Sequence, residues 1–125
     1  MTDDGCIWIR KLNPPKSNIN YLNVIGKPIK IGYLLVAENE FQEVMNWDDA
    51  KLACAKLGKG WRLPTKTELN TLYQNRNKIR GFANNHYWSS TEDGDYHAWA
   101  QSFFSDVQPS LFKTNEFNVR AVKTF

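Results

Sequence analysis

The sequence is poor in the residues that perform chemistry. Two histidines and two cysteines among 125 residues are little material for a nucleophile with its base, or for a metal site with three or more ligands. His86 and His97 lack the His-x-x-x-His or Glu-x-x-His spacing that sets two ligands on one helical face, so each reads as an exposed or hydrogen-bonded strand histidine. Cys6 and Cys54 stand too far apart for a metal knuckle or a redox pair. They are either buried thiols or one long-range bridge, and the reduced form is favoured because the acidic start Met1-Thr2-Asp3-Asp4-Gly5 has neither the basic nor the apolar region of a secretory signal. No export address is therefore expected. Glycine-rich phosphate binding is missing too, since Gly58-Lys59-Gly60 runs into Trp61 rather than into a helix start. No long apolar run suits a membrane span. Charge of one sign is also absent: 16 Lys and Arg against 13 Asp and Glu give +3, scattered in a way that argues against a nucleic-acid groove. These absences place a binding module well above an enzyme, with no cofactor and no obligatory metal.

What the chain does have is aromatic bulk: five Trp, five Tyr and seven Phe, enough for one compact soluble domain. Cys6 to Leu12 reads as a short strand carrying Trp8, broken by Asn13-Pro14-Pro15, and residues 1–25 form a lead-in to a domain over 26–125. Ile29 to Ala37 is β-rich. Asn46 then caps a helix whose first turn carries Asp48 and Asp49, with Trp47, Ala50, Cys54 and Leu57 on one apolar face and Gly58 at its end. Thr65 and Glu68 form a capping box that opens a second helix over about Thr65–Arg76, with Leu69, Leu72 and Tyr73 toward the core. From His86 the period changes to alternation, with strands expected over His86–Ser90, His97–Phe104, Gln108–Lys113 and Phe117–Phe125. Helices first and antiparallel strands after them predict an α+β fold. The run Glu92-Asp93-Gly94-Asp95 has oxygen donors for calcium but lacks the spacing and terminal Glu of an EF-hand loop, so it reads as a solvated turn.

The motifs Asn46-Trp47-Asp48-Asp49-Ala50, Leu57-Gly58-Lys59-Gly60-Trp61-Arg62-Leu63-Pro64-Thr65-Lys66-Thr67-Glu68-Leu69, Gly81-Phe82, Tyr87-Trp88-Ser89-Ser90-Thr91-Glu92, Ala98-Trp99 and Val119-Arg120-Ala121-Val122 closely resemble the Lcl C-terminal domain family of bacterial surface and phage-associated proteins. The resemblance runs from about Ile25 to the end. It implies a C-type-lectin-like fold, two helices flanking small antiparallel sheets, with a loop-rich surface for ligands and no catalytic activity. Trp61, Trp88 and Trp99 then read as core residues whose N–H finds a backbone partner. Arg62 and Arg120 read as structural donors. Calcium-dependent lectins of this fold use Glu-Pro-Asn or Gln-Pro-Asp with Trp-Asn-Asp; here Gln108-Pro109-Ser110 replaces the acid and Trp-Asn-Asp is missing, which argues against calcium-dependent sugar binding.

The tail also resembles the variable region of proteins diversified by retroelements, in which adenines of Asn codons are randomised. Asp93 to His97, Ala100, Ser102, Phe104, Ser105, Val107, Pro109 to Phe112 and Thr114 are reachable by that route, whereas Trp99, Gln101, Gln108 and Lys113 are not; Glu116 departs from the pattern. If Trp99, Gln101 and Phe103 face the core, then Ala98, Ala100, Ser102 and Phe104 face out. The expected ligand-binding face is thus Tyr96, His97, Ala100, Ser102, Phe104, Val107, Pro109, Leu111, Phe112 and Thr114, aromatic anchors among small polar residues. These features predict a non-catalytic adhesin or receptor-binding domain for a protein or glycan on a cell surface, forming a homo-oligomer and carried on a cell surface or phage particle. The alternative is a structural or assembly module of such a particle.

Overall fold

A computed structural model describes residues 21–125; the expected strand Cys6–Leu12 and Cys6 itself lie outside them. The chain runs α1 (Tyr21–Ile25), β1 (Ile29–Ile31), β2 (Leu34–Val36), α2 (Trp47–Lys56), α3 (Lys66–Gln74), α4 (Arg76–Ile79), β3 (His86–Glu92), β4 (His97–Ser102), β5 (Ser110–Phe112) and β6 (Val122–Thr124). Two three-stranded sheets result, ordered β1-β2-β6 and β3-β4-β5, and their strand pairs are all antiparallel. Among the described residues no helix is long and apolar enough to cross a membrane.

Local chemistry explains the helix starts. The Asn46 side chain accepts from the Asp49 N–H at 2.9 Å, and Asp48 and Asp49 sit at the positive end of α2, where their charge is favourable. At α3 the Thr65 hydroxyl accepts from the Glu68 N–H while the Glu68 carboxylate accepts from the Thr65 N–H, satisfying both reciprocally. The second helix stops at Gln74, earlier than the pattern suggested. Asn75 breaks it, and four residues of α4 follow. The expected long strands at the end are also shorter. β4 ends at Ser102, and of Phe117–Phe125 only Val122–Thr124 forms a strand, because the tail crosses between the sheets through single bridges of Phe117 to Met45 and Asn118 to Tyr87.

The interior has two apolar clusters. In the first, Trp47, Ala50 and Cys54 of α2 meet Phe41, Met45, Trp61, Trp88 and Val119. The second lies between β1-β2-β6 and α3, where Leu34, Val36 and Val122 meet Leu69, Leu72, Tyr87 and Phe103. Buried indole N–H groups are paired as expected for such cores: Trp88 donates to the Met45 carbonyl at 2.9 Å and Trp47 to that of Ser89 at 2.8 Å. Cys54 is a free buried thiol, and burial pushes it up to about 12, so it stays neutral and unreactive at pH 7.

Arg120, fully buried, holds the clusters together. Its guanidinium donates to the carbonyls of Ala37 at 2.8 Å, Glu38 at 2.7 Å and Arg80 at 3.0 Å, and it stacks over Phe82 with 4.5 Å to the ring centroid. Arg80 adopts a left-handed φ of 69° and Gly81 follows at 78°, an uncommon turn that delivers the Arg80 carbonyl to the guanidinium. Another positive-φ position is enforced by contact: a Cβ on Gly26 would collide with the Glu38 side chain, whose carboxylate accepts from the Lys27 N–H.

Arg62 makes another long-range polar tie. It pairs with both oxygens of Glu68 at 2.7 and 3.1 Å and donates to Thr124 at 2.8 Å, while the Tyr33 hydroxyl donates to the same carboxylate at 3.0 Å. Burial alone would raise the Glu68 carboxyl, yet the bonds from Arg62, Thr65 and Tyr33 outweigh it and hold it below the ordinary 4.5.

Two predictions follow from these ties. Replacing Arg120 by Met should leave the buried Ala37 carbonyl and the part-buried Glu38 and Arg80 carbonyls without their donors and cost about 3 kcal/mol, read as a fall in Tm by calorimetry. A depressed carboxylate contributes stability that is present above its unfolded value and lost as pH falls through its folded one. Glu68→Gln should accordingly destabilise fully at neutral pH, and the gap in Tm to the parent should close as pH falls below 4.5. A gap that widens in acid would refute this assignment.

Candidate functional site

The parity of β4 decides which side chains reach solvent. Trp88 of β3 stands opposite Ala100, and Ala98 opposite Leu111 of β5; all four belong to or pack on the first cluster. An indole the size of Trp88 leaves room only for small partners across the strand, which is why Ala98 and Ala100 face inward. The expected assignment is therefore reversed at its centre. Ala100 is 0% exposed and Ser102 2%, so neither can belong to a binding face. Trp99, expected in the core, lies on the other side of the sheet and is half-buried.

That other side is divided between cover and solvent. Near the end of β4, Gln101 is buried, as is its neighbour across the strand, Tyr87, which packs in the second cluster with Leu69 and Leu72 of α3. At its start the first turn of α3 reaches over Trp99, with the Lys66 ammonium 3.5 Å from the ring centroid. Lys66 is fixed there through its backbone, its N–H donating to Thr91 and its carbonyl accepting from Gln108. Beyond this cover the surface is open. His97 and Phe112 face each other across β4 and β5 with ring centroids 4.3 Å apart, and Phe112 is exposed. Tyr96, just before β4, is 74% exposed. Thr114 is exposed in the turn after β5.

A second exposed group stands at the opposite end of β4, about 17 Å away at roughly 3.4 Å per residue. Phe104 and Val107 project from the loop between β4 and β5. His86 lies between Phe104 and Phe117 at 5.5 and 5.2 Å, and burial lowers its proton affinity. Pro109 is half-buried and its carbonyl accepts from Ala100. Leu111 packs against the first cluster, so it belongs with the core rather than with the exposed anchors. The expected single face is thus two exposed apolar groups, Tyr96 and Phe112 with half-buried His97 between the strands, and Phe104 with Val107, separated by a strand whose inward side chains are core.

The acidic turn between β3 and β4 borders the first group and is cross-tied. Asp93 accepts from the Ser110 hydroxyl at 2.6 Å. Lys113 donates to the Glu92 carboxylate at 2.6 Å and to the Asp95 carbonyl at 3.0 Å, and its ammonium lies 4.4 Å from the Trp47 ring centroid. Among the described residues no three of His, Cys, Asp and Glu come together to hold a metal ion. Trp99, Lys66, Ser110 and Lys113 were missed as parts of this surface. The signal that could have found them is the Ala98 and Ala100 pair, since small residues at alternate positions mark the side of a strand that meets bulky neighbours.

Comparisons with known proteins bear on this geometry. The model of the Lcl C-terminal domain family matches residues 2–123, extending the resemblance read from the motifs toward the N-terminus. A search of curated proteins finds no match. Among solved structures, botrocetin shares 13% identity at a TM-score of 0.61, with 79% of this chain and 96% of that one covered. The snake venom toxin convulxin gives 11% and 0.63, covering 80% and 96%. EMS16, described as an antagonist of the collagen receptor integrin alpha2beta1, gives 14% and 0.58, covering 78% and 97%. The fold is thus C-type-lectin-like.

The burial pattern makes a direct test of the two groups. Phe104→Ser with Phe112→Ser should leave Tm nearly unchanged, because neither ring is core. Ala100→Leu should destabilise by about 1–3 kcal/mol through overpacking against Trp88. Adding Leu111→Ser to the double variant should lower Tm distinctly.

Proposed function

The chain belongs to the Lcl C-terminal domain family, and on that scaffold we propose that it is a non-catalytic binding domain for a protein on a cell surface. The observation that carries this reading is the exposed pair Tyr96 and Phe112, with half-buried His97 packed against Phe112. Large rings held at a sheet edge, with small polar neighbours, offer wide contact area at little entropic cost. Proteins sharing the fold support the choice of a protein over a small metabolite: botrocetin occurs in a complex with the von Willebrand Factor A1 domain, and EMS16 antagonises a collagen receptor.

We further propose that the exposed positions are the ones a retroelement diversifies. Asp95, Tyr96, Phe104, Val107, Phe112 and Thr114 are exposed on loops and strand ends, with half-buried His97 and Ser105 beside them. Ala100 and Ser102 have no room for a larger residue and fall outside that set. A template repeat beside the gene, mismatched at adenines in these codons, is the observation that tests it.

Binding is tested by presenting the intact domain to arrays of cell-surface proteins and glycans. A protein should be captured, and Tyr96→Ser with Phe112→Ser should weaken that capture at least about tenfold without lowering Tm. Capture untouched by these changes would defeat the reading. Sedimentation of the free domain separates the assembly alternative: an oligomer that dissociates in the same double variant uses this group for subunit contact instead.

A further inference from the structure

One side of the β1-β2-β6 sheet gathers positive charge. The register sets Lys30 of β1 and Lys123 of β6 on either side of Leu35 of β2, so the two lysines share a face two strand spacings, about 10 Å, apart. The turn after α2 adjoins them. A Cβ on Gly60 would stand 3.2 Å from the Lys123 side chain, and the Lys123 ammonium lies 6.0 Å from the Trp61 ring centroid. Lys56 in the last turn of α2 and Lys59 beside Gly60 are exposed. The segments 29–36, 56–62 and 119–125 contain no Asp or Glu. Of their cations, Arg62 is paired with Glu68 and Arg120 is committed to backbone carbonyls. Lys30, Lys56, Lys59 and Lys123 have no ion pair among the described residues, and Glu38, the acid that follows β2, accepts from the Lys27 N–H. The charges left free on this side are positive.

From this we propose that the lysine face of the β1-β2-β6 sheet docks on an anionic phospholipid bilayer, lying against its headgroups. Charge complementarity carries the choice of an anionic surface. The free cations are all lysines, compact point charges suited to an array of separate phosphates, whereas the planar carboxylates of an acidic protein are matched best by arginine forks. Exposed rings adjoin the same lysines. Phe125 is 59% exposed, and the Lys30 ammonium lies 4.7 Å from its ring centroid. Tyr33, also 59% exposed, sits in the turn between β1 and β2, its carbonyl accepting from the Phe125 N–H at 3.2 Å. Lysine stems along apolar rings let the ammonium groups reach the phosphates while the rings enter the headgroup layer. This face belongs to the other sheet from Tyr96 and Phe112, so docking on lipid and capture of a protein by those rings are separate properties.

The test is cosedimentation of the intact chain with phosphatidylcholine vesicles, with and without phosphatidylglycerol. Binding should require phosphatidylglycerol and weaken as salt rises. Lys30→Gln with Lys59→Gln and Lys123→Gln should weaken it at least about tenfold at an unchanged Tm, whereas the same three positions changed to Arg should retain it. Phe125→Ser should weaken it as well, and Phe104→Ser with Phe112→Ser should leave it as in the parent. Equal binding to pure phosphatidylcholine, no binding to phosphatidylglycerol vesicles, or indifference to the three Lys→Gln changes each overturns the inference. So does tighter binding of oligo-glutamate or a DNA duplex than of the anionic vesicles, which would assign the lysines to an acidic protein or a nucleic acid.

Discussion

A buried guanidinium is the constraint on which this fold depends. Arg120 comes from the tail, yet its three carbonyl partners lie at the end of β2 and in the turn after α4. A positive charge in an apolar interior is tolerable only when its donors are satisfied, and here the backbone itself supplies the acceptors. The tail, the β2 edge and the Arg80-Gly81 turn are thereby fixed relative to one another. Burial lowers the proton affinity of Arg120, and Glu40 nearby works in the opposite direction.

Glu40 belongs to a polar cluster beside that tie. Its carboxylate accepts from the Tyr87 hydroxyl and from Asn118, and the same hydroxyl accepts from the Ala83 N–H at 2.7 Å. Burial raises the Glu40 carboxyl despite these donors, whereas Glu68 ends lower because Arg62 reaches both of its oxygens. The two acids show how one guanidinium changes the balance. A coulombic neighbour that spends its donors on carbonyls offsets desolvation less than a bidentate partner does.

These internal ties leave the β4 and β5 margins free to vary. Strand β4 turns alanines inward, and the β3-β4-β5 sheet is clamped on that side by tryptophans and over part of the other by α3. The exposed rings therefore stand on a rigid base and carry little of the stability. Such separation is what allows one architecture to be kept at 11–14% identity while its surface chemistry changes.

Local signals in the sequence were sufficient for α2 and α3. Asn46, and Thr65 with Glu68, act on backbone groups within three residues, so their effect needs no knowledge of the rest of the chain. The motif string was equally legible, and with it the C-type-lectin-like fold and the structural role of Arg62 and Arg120. The face of β4 was not. Alternation says only that neighbouring side chains point opposite ways, and a shift of one residue exchanges core and surface. Trp99 looked like core because it is large, yet Trp88 already fills the space across the strand from Ala100, and Lys66, 33 positions earlier, arrives to cover the displaced indole. Which tryptophan goes inside, and hence which aromatics remain on the surface, is settled by packing among segments distant in sequence, so only the tertiary structure could decide it.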